Sequence, residues 1–336
     1  MRLVVFGDRR RVGVVSDEHV VDVSAAYGAY LGQEGSAADA EAQAAREAPA
    51  ELGAFIRAGH GALRAAQVVA RFAATPGAGA LCTPLAAAKL CPPIADNARI
   101  FGVGNNYPAH AAGARGEIAA DAAAVDRARA QVRSDGLRGF ITFPENCIGP
   151  GEPIVHPART DMLDFEGEIA AVIGRRCKDV TEAEAAAVIY GFVLVNDCSA
   201  RRAVPTADNP TSRFARDKNF DHSKPAGPFL AVGEFADPQD IRWETKVNGQ
   251  TRQRGHTREM IFSFAEVLSY LSEDLTLLPG DVICAGTTSG TIMDSTPLDR
   301  DGNRDPAAFL KPGDVVEIAN PILGTLRNSV VAKRVD

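Results

Sequence analysis

The 336-residue sequence has no excess of positive charge. Its formal net charge is −7 at pH 7, which argues against a nucleic-acid or anionic-membrane surface. No apolar run approaches the roughly 20 residues of a membrane span. The opening MRLVVFGDRR carries too short an apolar stretch for a signal peptide. The six cysteines, Cys82, Cys91, Cys147, Cys177, Cys198 and Cys284, include no CxxC pair. A chain of this size needs no disulfide stapling, so reduced thiols in a cytoplasmic protein are expected. What is present is ordinary for a globular protein, 46% apolar and 24% charged, and the length sets an expectation of about two domains.

The texture changes from Arg99. Residues 1–24 cluster β-formers around Gly7-Asp8 and Ser16-Asp17, a small meander. Residues 36–72 are Ala-rich and helical in character, with Leu52, Phe55 and Ile56 at helical spacing. The Pro/Gly/Ala-rich stretch 75–98 reads as a passage into a second unit. This gives a small N-terminal domain over 1–90, a linker over 91–98 and a larger domain over 99–336. There, short apolar runs alternate with Gly/Pro punctuation, a β-rich pattern with few helices. Helices are expected at 181–190 and 263–272, where Thr181/Glu184 and Ser263/Glu266 form capping-box patterns. LLPGDVICAG and LKPGDVVEIA each set a Pro-Gly-Asp turn before a strand, with IGPGEPIV a weaker copy. The polar, Ala-rich insert 113–139, flanked by glycines, reads as a surface helix on two hinges, either a lid or a plain decorated loop.

DFEGEIAAVIG (164–174) sets Asp164, Glu166 and Glu168 at every second position before turning apolar. A strand beginning at Asp164 would aim all three to one face. Burying like charges costs several kcal/mol each unless something neutralises them, so the edge is either solvated or bound to a cation. GFVLVND ends in Asp197. If the two runs are neighbouring strands, Asp197 lies across from the glutamates. Hard anionic oxygens without nearby Cys or patterned His suit Mg²⁺, Mn²⁺ or Ca²⁺ rather than zinc. Three further places add chemistry. GVGNNYPAH interrupts an apolar strand with polar residues, Tyr107 among them, and delivers His110 in a setting that often lines sites. Arg201, four residues past Asp197, suits bidentate capture of a carboxylate. AGTTSG, with Thr287, ends a buried strand in hydroxyls and glycines able to hold an oxyanion. Each has an ordinary alternative: a core histidine, a surface arginine, a simple turn.

In order, GVGNNYPAH, IGPGEPIVHP, DFEGEIAAVIG, GFVLVNDCSARR, RDKNFDHSKPAGPFL, VNGQTRQ, LLPGDVICAGTTSG and FLKPGDVVEI resemble the fumarylacetoacetate hydrolase family from about residue 99 onward. The resemblance implies an α+β, β-rich fold: a mixed-sheet β-roll, dimeric, with a small N-terminal α/β domain. It implies a divalent ion (Mg²⁺, or Mn²⁺ or Ca²⁺) held by Glu166, Glu168 and Asp197, with Asp164 outside the ligand set. His110 matches the general base and Lys218 a lysine that stabilises developing negative charge. Arg201 matches a substrate-facing arginine, and Thr287 a threonine meeting the substrate's carboxylate or carbonyl. Tyr107 is taken with them as a substrate-binding residue. The implied partner is a small 2-oxo acid.

Four departures matter. Many relatives carry a Glu three residues after the histidine, where this sequence has Gly113. His110 therefore lacks the neighbour that would fix its tautomer, and Glu117, Asp121 or a carboxylate from elsewhere would have to serve. Val204 replaces a glutamine-like residue and Phe143 a lysine, so a less polar pocket is expected. Asn105 and Asn106 occupy the region in which some members place a fourth carboxylate ligand, so three ligands are expected. The leading expectation is a metal-dependent hydrolase cleaving a carbon–carbon bond in an acylpyruvate-like or 1,3-dicarbonyl acid. The alternative is a lyase or isomerase of the same family (decarboxylase, hydratase or 2-oxo-enoate tautomerase), which Gly113 favours. A non-catalytic metal-binding protein is the third, and retention of Glu166, Glu168, Asp197, Lys218 and Thr287 together argues against it.

Overall fold

The computed structural model describes residues 1–33, 36–117, 121–201 and 216–333. The opening meander is β1 (Arg2–Phe6), β2 (Arg11–Ser16) and β3 (His19–Asp22), turning where Gly7 and Asp17 stand. The Ala-rich stretch forms α1 (Val23–Leu31), α2 (Ala37–Glu47), α3 (Leu52–Ala58) and α4 (His60–Phe72). Leu52, Phe55 and Ile56 are buried, as their spacing predicts. Short strands β4 (Cys82–Pro84) and β5 (Leu90–Cys91) lead to β6 (Ile100–Gly104), α5 (Pro108–Ala114), α6 (Ala122–Asp135) and β7 (Arg138–Thr142). Then come β8 (Cys147–Ile148), β9 (Ile154–His156), β10 (Met162–Asp164) and β11 (Gly167–Ile173).

The Thr181–Glu184 capping box is present, and the helix it opens runs through α7 (Glu182–Ala185) into a 3₁₀ turn ending at Val188. The apolar run after it is claimed by β12 (Ile189–Asn196), so the helix expected to 190 stops short. Next are β13 (Ser199–Arg201), β14 (Lys224–Pro225), β15 (Leu230–Ala231), β16 (Arg242–Val247) and β17 (Gln250–His256). The Ser263–Glu266 box opens α8 (Phe264–Ser272) as expected. The chain closes with β18 (Val282–Cys284), α9 (Ile292–Ser295), β19 (Val315–Asn320) and β20 (Gly324–Ala332).

Two sheets carry the architecture. The larger runs β4-β3-β2-β1-β15-β12-β11-β18-β6-β7, with β5 also on β1; the smaller runs β17-β16-β19-β20-β9. β11 lies in the middle of the larger sheet, antiparallel to both β12 and β18. Its Ala170 and Val172 pack into the core beneath α3 and α4. Its Ile169 and Ala171 pack toward Trp243, Val316 and Ile318 of the smaller sheet. A strand covered on both faces has no solvent side to mark with polar residues, which is why EIAAVIG reads as a continuous apolar run.

The three Pro-Gly-acid stretches form one local device. Gly280, Gly313 and Gly151 all have positive φ. In each turn the acid accepts the backbone N–H three residues earlier: Asp281 from Leu278 (2.7 Å), Asp314 from Lys311 (2.7 Å), Glu152 from Gly149 (2.5 Å).

The domain boundary expected near residue 90 is no break in the sheet. β1 pairs with β2 along one edge and, along the other, with β15 at Arg2–Leu3 and with β5 at Val5–Phe6. Leu3 and Val14 share a core with Val193, Val195 and Leu230. The insert helix α6 is docked rather than loose: Ala124, Ala128 and Val132 pack on Ala111, Ala112 and Ile261, and the Arg133 guanidinium lies 4.4 Å from the Phe262 ring centroid.

Leu3→Ala tests the continuity. Leu3 is fully buried, and truncating such a side chain costs about 2–5 kcal/mol. The urea midpoint of the whole protein should fall in a single transition. A separate early transition confined to residues 1–90 would mark that region as an independent unit.

Candidate active site

Pairing between β11 and β12 assembles the acidic cluster. Gly167 stands opposite Asn196. The Asp197 N–H donates to Glu166 O (2.8 Å), and Asn196 Oδ1 accepts the Glu166 N–H (3.0 Å). Asp197 is thereby drawn beside the glutamates. Glu166, Glu168 and Asp197, all buried, each offer an oxygen within 4.8 Å of the others.

The expected single face of three carboxylates does not occur. β10 ends at Asp164 and β11 starts at Gly167, because Asp164 pairs with Ser199 of a different two-stranded sheet. The Asp164 carboxylate instead accepts the N–H groups of Ile292 (2.8 Å) and Met293 (3.1 Å) and is gripped by Arg201. It stands outside the cluster of three, in line with the ligand set that the family resemblance implies.

Three cations face these four acids. Lys218 Nζ bridges Glu166 Oε2 (2.5 Å) and Asp197 Oδ2 (2.6 Å). Arg201 joins Asp164 to Glu166. Lys224, fully buried and not singled out in the sequence, places Nζ 2.9 Å from Asp197 Oδ1, outside hydrogen-bond geometry, while donating to Lys218 O (2.6 Å). The consequences diverge. At Glu166 burial opposes ionisation, but Lys218 and Arg201 overcome it and hold the carboxyl far below its usual range. At Glu168 burial, reinforced by Asp197 and Glu166, pushes the carboxyl well above its usual range. Among the described residues, the one hydrogen bond to its carboxylate comes from the Gly286 N–H at 3.0 Å.

A cavity of about 200 Å³ brings together His110, Glu166, Asp197, Arg201, Lys218 and Thr287, with Asn105, Phe140 and Met293 in its wall. Tyr107 does not line it. It is buried edge-on against Trp243, ring centroids 5.9 Å apart, because it precedes the first turn of α5 and faces the core. Phe143 is 55% exposed, and the apolar wall comes from Phe140 instead. Asn106 is a clamp, bonded to Phe262 O, Ala285 O and the Phe262 N–H. Val204 lies outside the described residues.

His110 has a carboxylate partner after all. Its Nδ1 is 2.8 Å from Asp294 Oδ2, 184 residues away. Glu117 pairs with Arg127 and Asp121 caps α6, so neither insert residue serves. A Cβ built on Gly113 would meet Asp294 Cβ at 2.4 Å. The position where relatives carry the acid is empty of side chain because another acid packs there. Sequence reading missed Asp294; its signal is T-I-M-D, in which Thr291 caps α9 and sets Asp294 in the first turn.

Gly113→Ala should therefore push α9 off α5. Overpacking of this kind costs about 1–3 kcal/mol, to be read as a lowered urea midpoint, with a lengthened His110–Asp294 contact in a crystal structure of the variant.

A β-rich fold that holds a buried acidic triad, opposing cations and a histidine–aspartate pair, with Glu166, Asp197, Lys218, Arg201 and His110 lining one small cavity, defines a candidate acid–base enzyme. The chain belongs to the fumarylacetoacetate hydrolase family: the model of the fumarylacetoacetate (FAA) hydrolase C-terminal region matches residues 99–331. Over 192 residues it is 36% identical to 2,4-didehydro-3-deoxy-L-rhamnonate hydrolase of Sphingomonas sp. (strain SKA58), a match spanning 57% of this chain and 64% of that relative's length. The crystal structure of 2-hydroxyhepta-2,4-diene-1,7-dioate isomerase from Mycobacterium marinum is 31% identical, covering 75% of this chain and 81% of that one at a TM-score of 0.55. Maleylpyruvate hydrolase from Sphingobium sp. SYK-6, in complex with manganese(II) and pyruvate, shares the fold across 99% of this chain and 100% of its own (TM-score 0.69, 23% identity).

Proposed function

We propose that the protein is a divalent-metal-dependent hydrolase that cleaves a carbon–carbon bond in an acylpyruvate-like or related 1,3-dicarbonyl acid. The observation that carries this reading is the His110–Asp294 pair, whose His110 lines the same cavity as Glu166 and Asp197 of the acidic triad. The residues fit a hard cation. The donors are all carboxylate oxygens, and among the described residues three cations offset four acids and Glu168 is the acid without a close cation. Held by Glu166, Glu168 and Asp197, such an ion would supply Lewis-acid polarisation of a 2-oxo carboxylate.

The chain's own groups do the rest. Asp294 accepts from Nδ1–H of His110, which makes Nε2 the basic nitrogen. There His110 takes the proton from an attacking water. Lys218 and Arg201 set fixed positive charge beside the substrate as its oxygens become negative. The homodimer implied by the resemblance remains part of this reading, and solution mass tests it.

Isomerisation is the second reading. The same histidine can move a proton between carbon and oxygen, and an isomerase stands among the similar structures. The sequence-level reason for preferring it, the acid missing at Gly113, disappears with Asp294. Product analysis on a panel of 2-oxo acids with Mg²⁺ or Mn²⁺ separates the two: hydrolysis yields two acids, isomerisation conserves mass and decarboxylation releases CO₂. Mass-conserving turnover alone would overturn the hydrolase reading.

Asp294→Asn should lower turnover by about 10²–10⁴-fold and leave Mn²⁺ affinity unchanged by calorimetry. Glu168 makes a pH prediction. Burial and the neighbouring acids shift its carboxyl toward the protonated form in the ion-free protein, so protons should compete with the ion, affinity should rise with pH, and uptake should release a proton. Glu168→Gln should weaken Mn²⁺ binding by at least about 100-fold and abolish that proton release, measured in two buffers of different ionisation enthalpy.

A further inference from the structure

Gly167 separates the two glutamates, and its hydrogen-bonding edge has lost its strand. β18 pairs with β11 only from Ala170 to Val172. Ahead of that point two side chains replace it. Gln253, from β17 of the smaller sheet, accepts the Gly167 N–H at Oε1 (3.1 Å). The Thr287 hydroxyl donates to Gly167 O (2.9 Å). Gln253 Nε2 joins the two by donating to Thr287 Oγ1 (2.8 Å) and to Thr288 O (2.8 Å). Gln253 is 1% exposed, and it belongs to the VNGQTRQ motif, which the proposed chemistry leaves without a role.

We infer that Gln253 is a positioning residue. Its amide acts as a surrogate peptide group that fixes the backbone between Glu166 and Glu168 and sets the direction of the Thr287 hydroxyl. The inference rests on the reading of the two glutamates as ion ligands. The amide is suited to the task because it donates on one side and accepts on the other. A carboxylate could hold the Gly167 N–H but would face Thr288 O without a proton. Gly167 is required beneath it: an added Cβ would meet Thr245 Oγ1 at 2.2 Å and Gln253 Oε1 at 3.1 Å. The hydroxyl of Thr287 has one proton, and Gly167 O receives it. While Gln253 donates from the other side, that proton is turned away from anything in the cavity.

The test compares full-length Gln253→Met, Thr287→Ser, Thr287→Val and the Gln253→Met/Thr287→Val double variant, with Mn²⁺ as the probe. Gln253→Met should raise the Mn²⁺ dissociation constant about 10–100-fold, the range found when groups behind metal ligands are removed. Thr287→Ser should bind as wild type. The double variant should lose less than the product of the single losses, because both act through one chain of bonds. In ion-free protein, amide exchange of the peptide containing Gly167 should quicken in Gln253→Met and stay unchanged in Thr287→Ser. A glutamine that only filled the core would lower the unfolding midpoint of Gln253→Met with Mn²⁺ affinity intact, and that result overturns the inference. Wild-type protein that takes up no Mn²⁺ would overturn the ion site itself. The bridge is then judged by exchange alone: faster exchange in Gln253→Met supports it, unchanged exchange overturns it.

Discussion

Glu166, Glu168 and Asp197 crowd three carboxylates into a space that water scarcely reaches, and the rest of the site follows from that crowding. Like charges at such distances in a low-dielectric interior repel by several kcal/mol. The fold answers with fixed cations rather than solvent. Lys218 sits between two of the acids, Lys224 stands behind Asp197, and Arg201 ties Glu166 to Asp164. The compensation is uneven, and the unevenness is chemically useful. Glu166 is held ionised while its neighbour two residues on is pushed toward neutrality. Acids driven apart in this way mark sites that take a cation or move a proton.

The two-sheet architecture makes the crowding tolerable. β11 is covered on both faces, so its backbone has little freedom to relieve the repulsion by moving. The N-terminal strands extend the same sheet and add the helices that close one of those faces. At the head of β11 the partner strand has diverged, and Gln253 and Thr287 hold the edge in its place. The cluster thus forms where regular pairing ends and side chains take over, which is where a sheet can aim polar groups into a cavity without burying unpaired backbone.

Much of this was legible in the sequence for a physical reason: the relevant information was local. An acid pair at i and i+2, an apolar run ending in Asp197, two capping boxes and three Pro-Gly-acid turns each act over a few residues, and each is found in the structure. The misreadings came from long-range competition. A strand period continued back to Asp164 failed because Ser199 and α9 claim that residue. The helix after Thr181 was cut short by the pairing of Ile189 with β11. Tyr107 looked like a site residue from its polar neighbours, yet its ring is drawn into the core by Trp243. Lys224 and Asp294 carried no local pattern linking them to the acids or the histidine, since each meets its partner across a stretch of sequence that periodicity does not describe.

Asp164 shows how His110 and the triad are connected. It is the acid that left the cluster, and its carboxylate holds the first N–H groups of α9. Two residues farther along, that short helix presents Asp294 to His110. The same Asp164 is bound through Arg201 to Glu166. A continuous set of charge-assisted bonds therefore runs from the acidic cluster through Arg201 and Asp164 to α9, and from Asp294 to the imidazole. An acid three residues after the histidine would stand on α5 itself. Here Gly113 has ceded the position, so the orientation of His110 depends on an element anchored by an acid that contacts the triad's own arginine. Glu166, Arg201, Asp164, α9, Asp294 and His110 therefore form one contiguous set of contacts.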